Sequence, residues 1–248
     1  NLESVIEVYG KVKKAKIKAE FARKDIGVEV SDIKILSKAE KLPIHINEKT
    51  TKTDLSKRID YRPLDLRKPK VQAVFKIQSA LIGGMQDYLN KNGFVQVFTP
   101  SLMGVASESG SEVFEVNYFN KKAFLRQDPQ LHRQLTILGG IEKLYDIGPS
   151  WRAEKSHTVK HICEHRTCAV ERAFIKDEKD TMKIEEQLVV SAIKNVLGKC
   201  KNELDLLGIK LKVPKIPFPE LRFPEIYDIC LLYTSDAADE LDGVDLGG

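Results

Sequence analysis

The chain has 248 residues, with 40 Lys and Arg against 36 Asp and Glu, a formal net charge of +4, and 42% of its residues are hydrophobic. That composition excludes a chain too polar to fold, and with no apolar run approaching the ~18 residues of a membrane span it gives no reason to expect membrane insertion. The length suits one large or two modest domains. No charged segment leads into an apolar signal-like stretch, and four cysteines without a regular framework fit a reducing, cytoplasmic compartment.

In chain order, residues 1–50 read as β structure. Val5, Ile6, Val8 and Val12 alternate with polar residues, and Gly27 to Val30, then Ile33, Ile35 and Leu36, repeat the period of two. A basic run, Lys11 to Lys18, lies beside the first strand. Short strands with scattered lysines fit the last strands of an OB-fold barrel, and equally a solvated lysine-rich sheet. Residues 51–69 are polar, contain Pro63 and Pro69, and read as a hinge or linker.

From Val71 to Asn92 the residues Val71, Val74, Phe75, Leu81, Ile82, Met85 and Leu89 fall at helical spacing, and Gly93 is the expected stop. Phe94 to Thr99 then reads as a strand ending at Pro100. An apolar strand carrying Leu144, Tyr145 and Ile147 delivers Arg152 and Glu154. A polar loop, Lys155 to Lys160, turns the chain into a second strand from Ile162 to Phe174, and residues 178–207 read as helical. Pro214, Pro217, Pro219 and Pro224 mark an irregular, extended passage. The last nineteen residues hold five acids and no Lys or Arg. The 229 residues before them therefore carry 40 basic and 31 acidic side chains, a net charge of +9, which suits a polyanionic partner.

The most telling stretch is Gly148-Pro-Ser-Trp-Arg-Ala-Glu154, followed by Lys160-His-Ile-Cys-Glu-His165. Arg and Glu near the tip of one arm of a hairpin, with His on the other, can grip a polyphosphate and its attached base. The pattern resembles motif 2 of the class II aminoacyl-tRNA synthetases, in the aspartyl, asparaginyl and lysyl subgroup. Other segments resemble the same subgroup. Ser31 to Ile44 is similar to the exit of its anticodon-binding domain, Arg62-Pro-Leu-Asp-Leu-Arg67 to the start of its catalytic domain, and the helix–Gly–strand–Pro100 order to motif 1.

The resemblance implies an α+β protein: the C-terminal part of an OB-fold barrel in 1–50, a hinge in 51–69, and in 70–229 the first part of a class II catalytic domain built on an antiparallel sheet. Residues 230–248 are expected to lie outside the fold, because Cys230 to Glu240 and Gly243 to Gly248 resemble the translation of sequencing-library adapters. No Gly-rich, Arg-bearing segment resembling motif 3 occurs, so the chain by itself is expected to be inactive.

The implied reaction joins an amino acid to the α-phosphate of ATP, with Mg2+, and transfers it to tRNA within a homodimer whose interface includes Pro100. Both reactants are anionic, and the Arg152 fork is suited to bridge phosphate and carboxylate. By resemblance, Glu154 contacts adenine, His161 the outer phosphates, and His165 stacks on the base. Ser107 and Glu108 lie in the loop that binds the α-ammonium group, and Gln130 matches a substrate-binding glutamine. Arg133 stands where aspartyl enzymes carry a lysine for the substrate side chain, which favours aspartate over asparagine, since a buried cation needs a charged partner. Asparaginyl and lysyl enzymes and a non-synthetase paralogue, amidating or nucleic-acid-binding, remain alternatives. Ala169 lacks a carboxylate that the aspartyl pattern carries, and Asp128 replaces a serine without explanation. No metal site is expected from His161, Cys163, His165 and Cys168, because along a strand they span too far to meet at one ion.

Overall fold

The computed structural model describes residues 3–18, 23–46, 53–105, 113–155, 162–227 and 229. Strands β1 (Val5–Lys14) and β2 (Ile26–Ser37) pair antiparallel as a separate ribbon, with register shifts at Val5/Ile6 and Tyr9/Gly10. At Gly10 the backbone of Glu29 comes so near that a β-carbon would collide with it. Valines and isoleucines on both faces of the ribbon, from Val5 and Ile6 to Ile33 and Ile35, are exposed. Two strands alone cannot bury such faces.

The polar segment that reads as a linker contains two short helices, α1 (Leu55–Asp60) and α2 (Arg62–Asp65). The Asp54 carboxylate caps α1 by accepting from the Lys57 amide at 2.9 Å. Asp65 is completely buried, with Arg58 Nε at 2.8 Å, Arg62 Nη1 at 3.0 Å and Lys68 Nζ at 3.2 Å. The hydrogen bond from Arg58 is the main cause that holds its carboxyl below the ordinary value. Next to this knot, Arg67 pairs with Glu3, which ties the segment to the start of the chain.

Helix α3 (Pro69–Lys91) begins with proline in its first turn, where a missing N–H costs nothing. It ends at Asn92, followed by Gly93 at φ +77°, a left-handed stop that glycine adopts without strain. Strand β3 is only Val95–Gln96, shorter than the periodicity predicts. One further bond, Val97 N–H to Tyr145 C=O at 2.9 Å, continues the pairing. Thr99 then turns to a buried ion pair, and Pro100 has no N–H for a ladder.

Strands β4 (Leu102–Met103), β5 (Glu115–Tyr118) and β6 (Lys121–Leu125) form an antiparallel sheet in the order β4-β6-β5. Helix α4 (Gln130–Leu138) leads to the long hairpin of β7 (Lys143–Trp151) and β8 (Glu164–Arg172). Both arms are shorter than the sequence suggests, and Arg152 to Lys155 lie beyond the strand. The principal sheet, β3-β7-β8, is mixed, because β3 runs parallel to β7. The expected antiparallel pairing is present in β7–β8 and in β4-β6-β5, and β3 adds to it a parallel neighbour. The long excursion through β4–β6 and α4 lets the chain re-enter in the same direction.

Helix α5 (Glu178–Lys199), capped by Asp177, packs along α3, and a break at Cys200 sets off α6 (Lys201–Leu207). The helices approach most closely at Gly84, where a β-carbon would come within 2.8 Å of Ala192 Cα. Two polar bonds lock this crossing: Asn195 Nδ2 donates to Ala80 C=O at 2.6 Å and Ser191 Oγ to Gly84 C=O at 3.0 Å. The core has two clusters. One joins Ala80, Val196, Cys200 and Leu204 between the helices. The other joins Leu89, Phe94, Tyr145 and Leu188 where the helices meet the sheet. No described helix is long and apolar enough to cross a membrane.

Candidate active site

Residues opposite each other in an antiparallel ladder send their side chains to the same face. The β7–β8 register runs from Lys143↔Arg172 to Trp151↔Glu164 without a shift. It therefore sorts the hairpin into two faces. Tyr145 and Ile147, with Cys168 and Val170, face the helices and pack into the core. Burial pushes both the Tyr145 phenol and the Cys168 thiol up. Leu144, Asp146, Gly148 and Ser150, with His165, Thr167, Ala169 and Glu171, form the other face. Of the candidate residues, His165 lies on this face, and Arg133 reaches it through Glu171. His165 and Cys168 thus project to opposite sides of the strand.

The floor of this face is an ion pair that the sequence does not reveal. Arg126, 2% exposed, places Nη1 3.1 Å from Asp146 Oδ2, itself on a residue 4% exposed. Thr99 Oγ1 donates to the same carboxylate at 2.5 Å and Arg126 Nε to Pro149 C=O at 2.5 Å. The backbone joins in, with Arg126 N–H donating to Ser101 C=O and Trp151 N–H to Arg126 C=O, both at 3.0 Å. A β-carbon at Gly148 would overlap the Arg126 guanidinium, which would have to shift from this position. The cluster fixes the end of the β3 segment, the end of β6 and the tip of β7 relative to one another.

Beside this floor lies the segment from Gln127 to Arg133. Ser150 Oγ bonds to Gln127 C=O, and Pro129 is fully buried. Gln130 is exposed at the first turn of α4. Arg133 is 4% exposed, with Nη2 2.8 Å from Asp128 and Nε 3.1 Å from Glu171 Oε1. The unexplained aspartate at 128 thus has a structural partner. Ala169, where a carboxylate was expected, lies opposite Asp146, whose charge already serves this face.

At the tip, Arg152 is exposed and its N–H donates to Cys163 C=O at 3.0 Å, one step past the last ladder pair. Glu154 and His165 are half-buried, with His165 opposite Ser150. The hairpin therefore brings Arg152 and His165 to its tip, where Trp151 N–H meets Arg126 C=O. Ser107, Glu108 and His161 lie outside the described residues. Pro100 is exposed, close in sequence to Phe98, which is 81% exposed. Sequence reasoning missed Arg126, Asp146 and Thr99; the only available signal was charge or hydroxyl placed inside apolar strand ends.

The family profile described as tRNA synthetases class II (D, K and N) matches residues 54–245. Over 231 residues the chain is 41% identical to an aspartate–tRNA(Asp/Asn) ligase of Saccharolobus solfataricus, covering 92% of this chain and 52% of the ligase. An aspartate–tRNA(Asp/Asn) ligase of Archaeoglobus fulgidus is 36% identical over 228 residues, again 92% of this chain and 52% of the relative. The chain spans about half the length of these curated relatives. Among solved structures, asparaginyl-tRNA synthetase from Pyrococcus horikoshii, complexed with asparaginyl-adenylate, superposes with a TM-score of 0.79 at 31% identity. That similarity covers 99% of this chain and 54% of the other.

Proposed function

Because this chain belongs to the class II tRNA synthetases of the D, K and N group, we propose that it forms the activating half of an aspartate–tRNA ligase. The protein activates aspartate with ATP to aspartyl-adenylate and transfers the aspartyl group to tRNA in the cytoplasm. The observation that carries this reading is the sorting of one hairpin face. His165, Asp146 and Glu171, the partner of Arg133, lie on the face turned away from the helices, and Arg152 follows at the hairpin tip.

In this reading Arg152, exposed at the hairpin tip, bridges the α-phosphate and the substrate α-carboxylate. It neutralises two anions and holds them in line. Glu154 accepts from the adenine amino group, His165 stacks on the base and His161 meets the outer phosphates. Ser107 and Glu108 receive the α-ammonium group, while Gln130 and Arg133 read the side chain. Mg2+, when bound, would supply charge neutralisation on the phosphates. Among the described residues no group of three His, Cys, Asp or Glu is gathered to hold a metal, and no step is assigned to one.

The β1–β2 ribbon, with apolar residues exposed on both faces, is read as part of an OB-fold barrel whose other strands cover it. Helix α3, β3 and Pro100 are read as the homodimer interface, in keeping with exposed Val74, Phe75, Val95 and Phe98. Asparagine as the amino acid is the second reading. It is favoured by one observation: Arg133 already has two carboxylate partners.

The test is aspartate-dependent ATP–pyrophosphate exchange by the full-length protein and its Arg152→Ala variant. Removing a phosphate clamp of this kind costs roughly 3–4 kcal/mol in the transition state, a loss of a hundredfold or more. Exchange above about a tenth of the wild-type rate would remove Arg152 from the mechanism.

A further inference from the structure

Among the described residues the cluster around Arg133 holds one guanidinium and two carboxylates, a net charge of −1. Both Asp128 oxygens lie 2.8 Å from Nη2, and Glu171 Oε1 lies 3.1 Å from Nε. Nη1 makes no hydrogen bond among the described residues. A third carboxylate drawn to this guanidinium therefore meets the negative field of these two. Three carboxylates around one buried cation are costly, because each anion loses water and repels the other two.

The two resident carboxylates are not equivalent. Glu171 rises from β8, where the ladder fixes its backbone opposite Leu144. Asp128 sits on the short segment between β6 and α4, outside any strand, and its side chain is 33% exposed against 24% for Glu171. Arg133 itself cannot be left without a partner, since its side chain is only 5% exposed. Asp128 is the partner that can leave into water without disturbing a ladder.

We propose that Asp128 is an internal stand-in for the side-chain carboxylate of the amino acid. It neutralises Arg133 while the site is empty, and the substrate carboxylate displaces it. This inference rests on the proposed role of Arg133 in reading the side chain. Asp128 is then a positioning residue that acts through Arg133 and sets how tightly a carboxylate is preferred over an amide. An amide substrate has no charge with which to displace it.

The experiment compares ATP–pyrophosphate exchange with aspartate and with asparagine in the full-length protein and in Asp128→Asn, Asp128→Ser and Glu171→Gln. Removing the internal competitor should lower the KM for aspartate about fivefold, with kcat within about twofold, and leave the KM for asparagine within about twofold. Asp128→Ser, which removes the carboxylate altogether, should act in the same direction. Glu171→Gln should not lower the KM for aspartate. An unchanged or raised KM for aspartate in both Asp128 variants overturns displacement. An equal fall in the Glu171 variant also overturns it, because it would reflect only the general charge of the site. Arg133→Gln is measured alongside. Equal losses for the two amino acids there would overturn the role of Arg133 itself, and the inference with it.

Discussion

Replacing Asp146 with alanine is expected to destabilise the chain by about 3–5 kcal/mol, the cost of leaving a buried charge without its partner. The structure sets where in that range the value should fall. The substitution removes the 3.1 Å contact to Arg126 Nη1 and the acceptor of the 2.5 Å bond from Thr99 Oγ1. Arg126 keeps Pro149 C=O at 2.5 Å, Thr99 C=O at 3.3 Å and Thr99 Oγ1, but all three are neutral acceptors. At 2% exposure it has almost no access to water. The retained bonds favour the lower half of the range, about 3 kcal/mol. Asp146→Asn keeps an acceptor in the same place and should cost only about 1–2 kcal/mol.

Urea unfolding followed by tryptophan fluorescence is the suitable assay, because the chain has a single tryptophan, Trp151, whose N–H donates to Arg126 C=O. A loss below about 1 kcal/mol for Asp146→Ala, with the denaturant slope unchanged, would refute the reasoning. It would mean that water or another anion reaches Arg126 as well as Asp146 does.

Two further outcomes follow from packing and charge. Gly84→Ala should cost about 1–3 kcal/mol in the same unfolding assay, because the added carbon would lie within 2.8 Å of both Ala192 Cα and Asn195 Cβ and must push α5 away; a neutral result would show that the helices separate freely. Asp65, held below its ordinary value of 3.8 chiefly by the Arg58 hydrogen bond, contributes stability that is fully present above that value and is lost as pH falls through its depressed folded value. The stability gap between wild type and Asp65→Asn should therefore be level from about pH 7 to 5 and close in stronger acid, where a gap independent of pH would contradict the pairing.

Local pattern was legible in the sequence, and distant charge was not. The apolar spacing from Val71 onward and Gly93 placed α3 to within two residues, because spacing and end signals are properties of neighbouring residues. The hairpin was legible for the same reason. The β3 segment was overextended: Phe94, Val95, Val97 and Phe98 look like a strand, yet the ladder stops at Gln96. What stops it is Thr99 turning to Asp146, 47 residues later. Asp65 showed the same limitation, since it reads as one more charge in a polar linker and becomes a buried knot only once α1 and α2 bring Arg58 and Arg62 around it. At the site, Arg133 was visible as a charge and Asp128 as an oddity. That they answer each other, with Glu171 as the third member, depends on how α4 is set against β8.

The unbroken register of the β7–β8 hairpin also constrains how this protein can diverge. Nine consecutive pairs run without a bulge, whereas the β1–β2 ribbon carries two register shifts. In the ribbon, an inserted or deleted residue can be taken up at an existing irregularity. In the hairpin, a single deletion between Glu164 and Arg172 would turn every residue on one side of it to the opposite face. His165 would be driven towards the helices, or Cys168 and Val170 would be drawn out of the core. Changes of length are therefore tolerable only between Arg152 and Ile162, beyond the last pair. Lineages of this protein should differ in hairpin loop length while keeping the two arms residue for residue the same length.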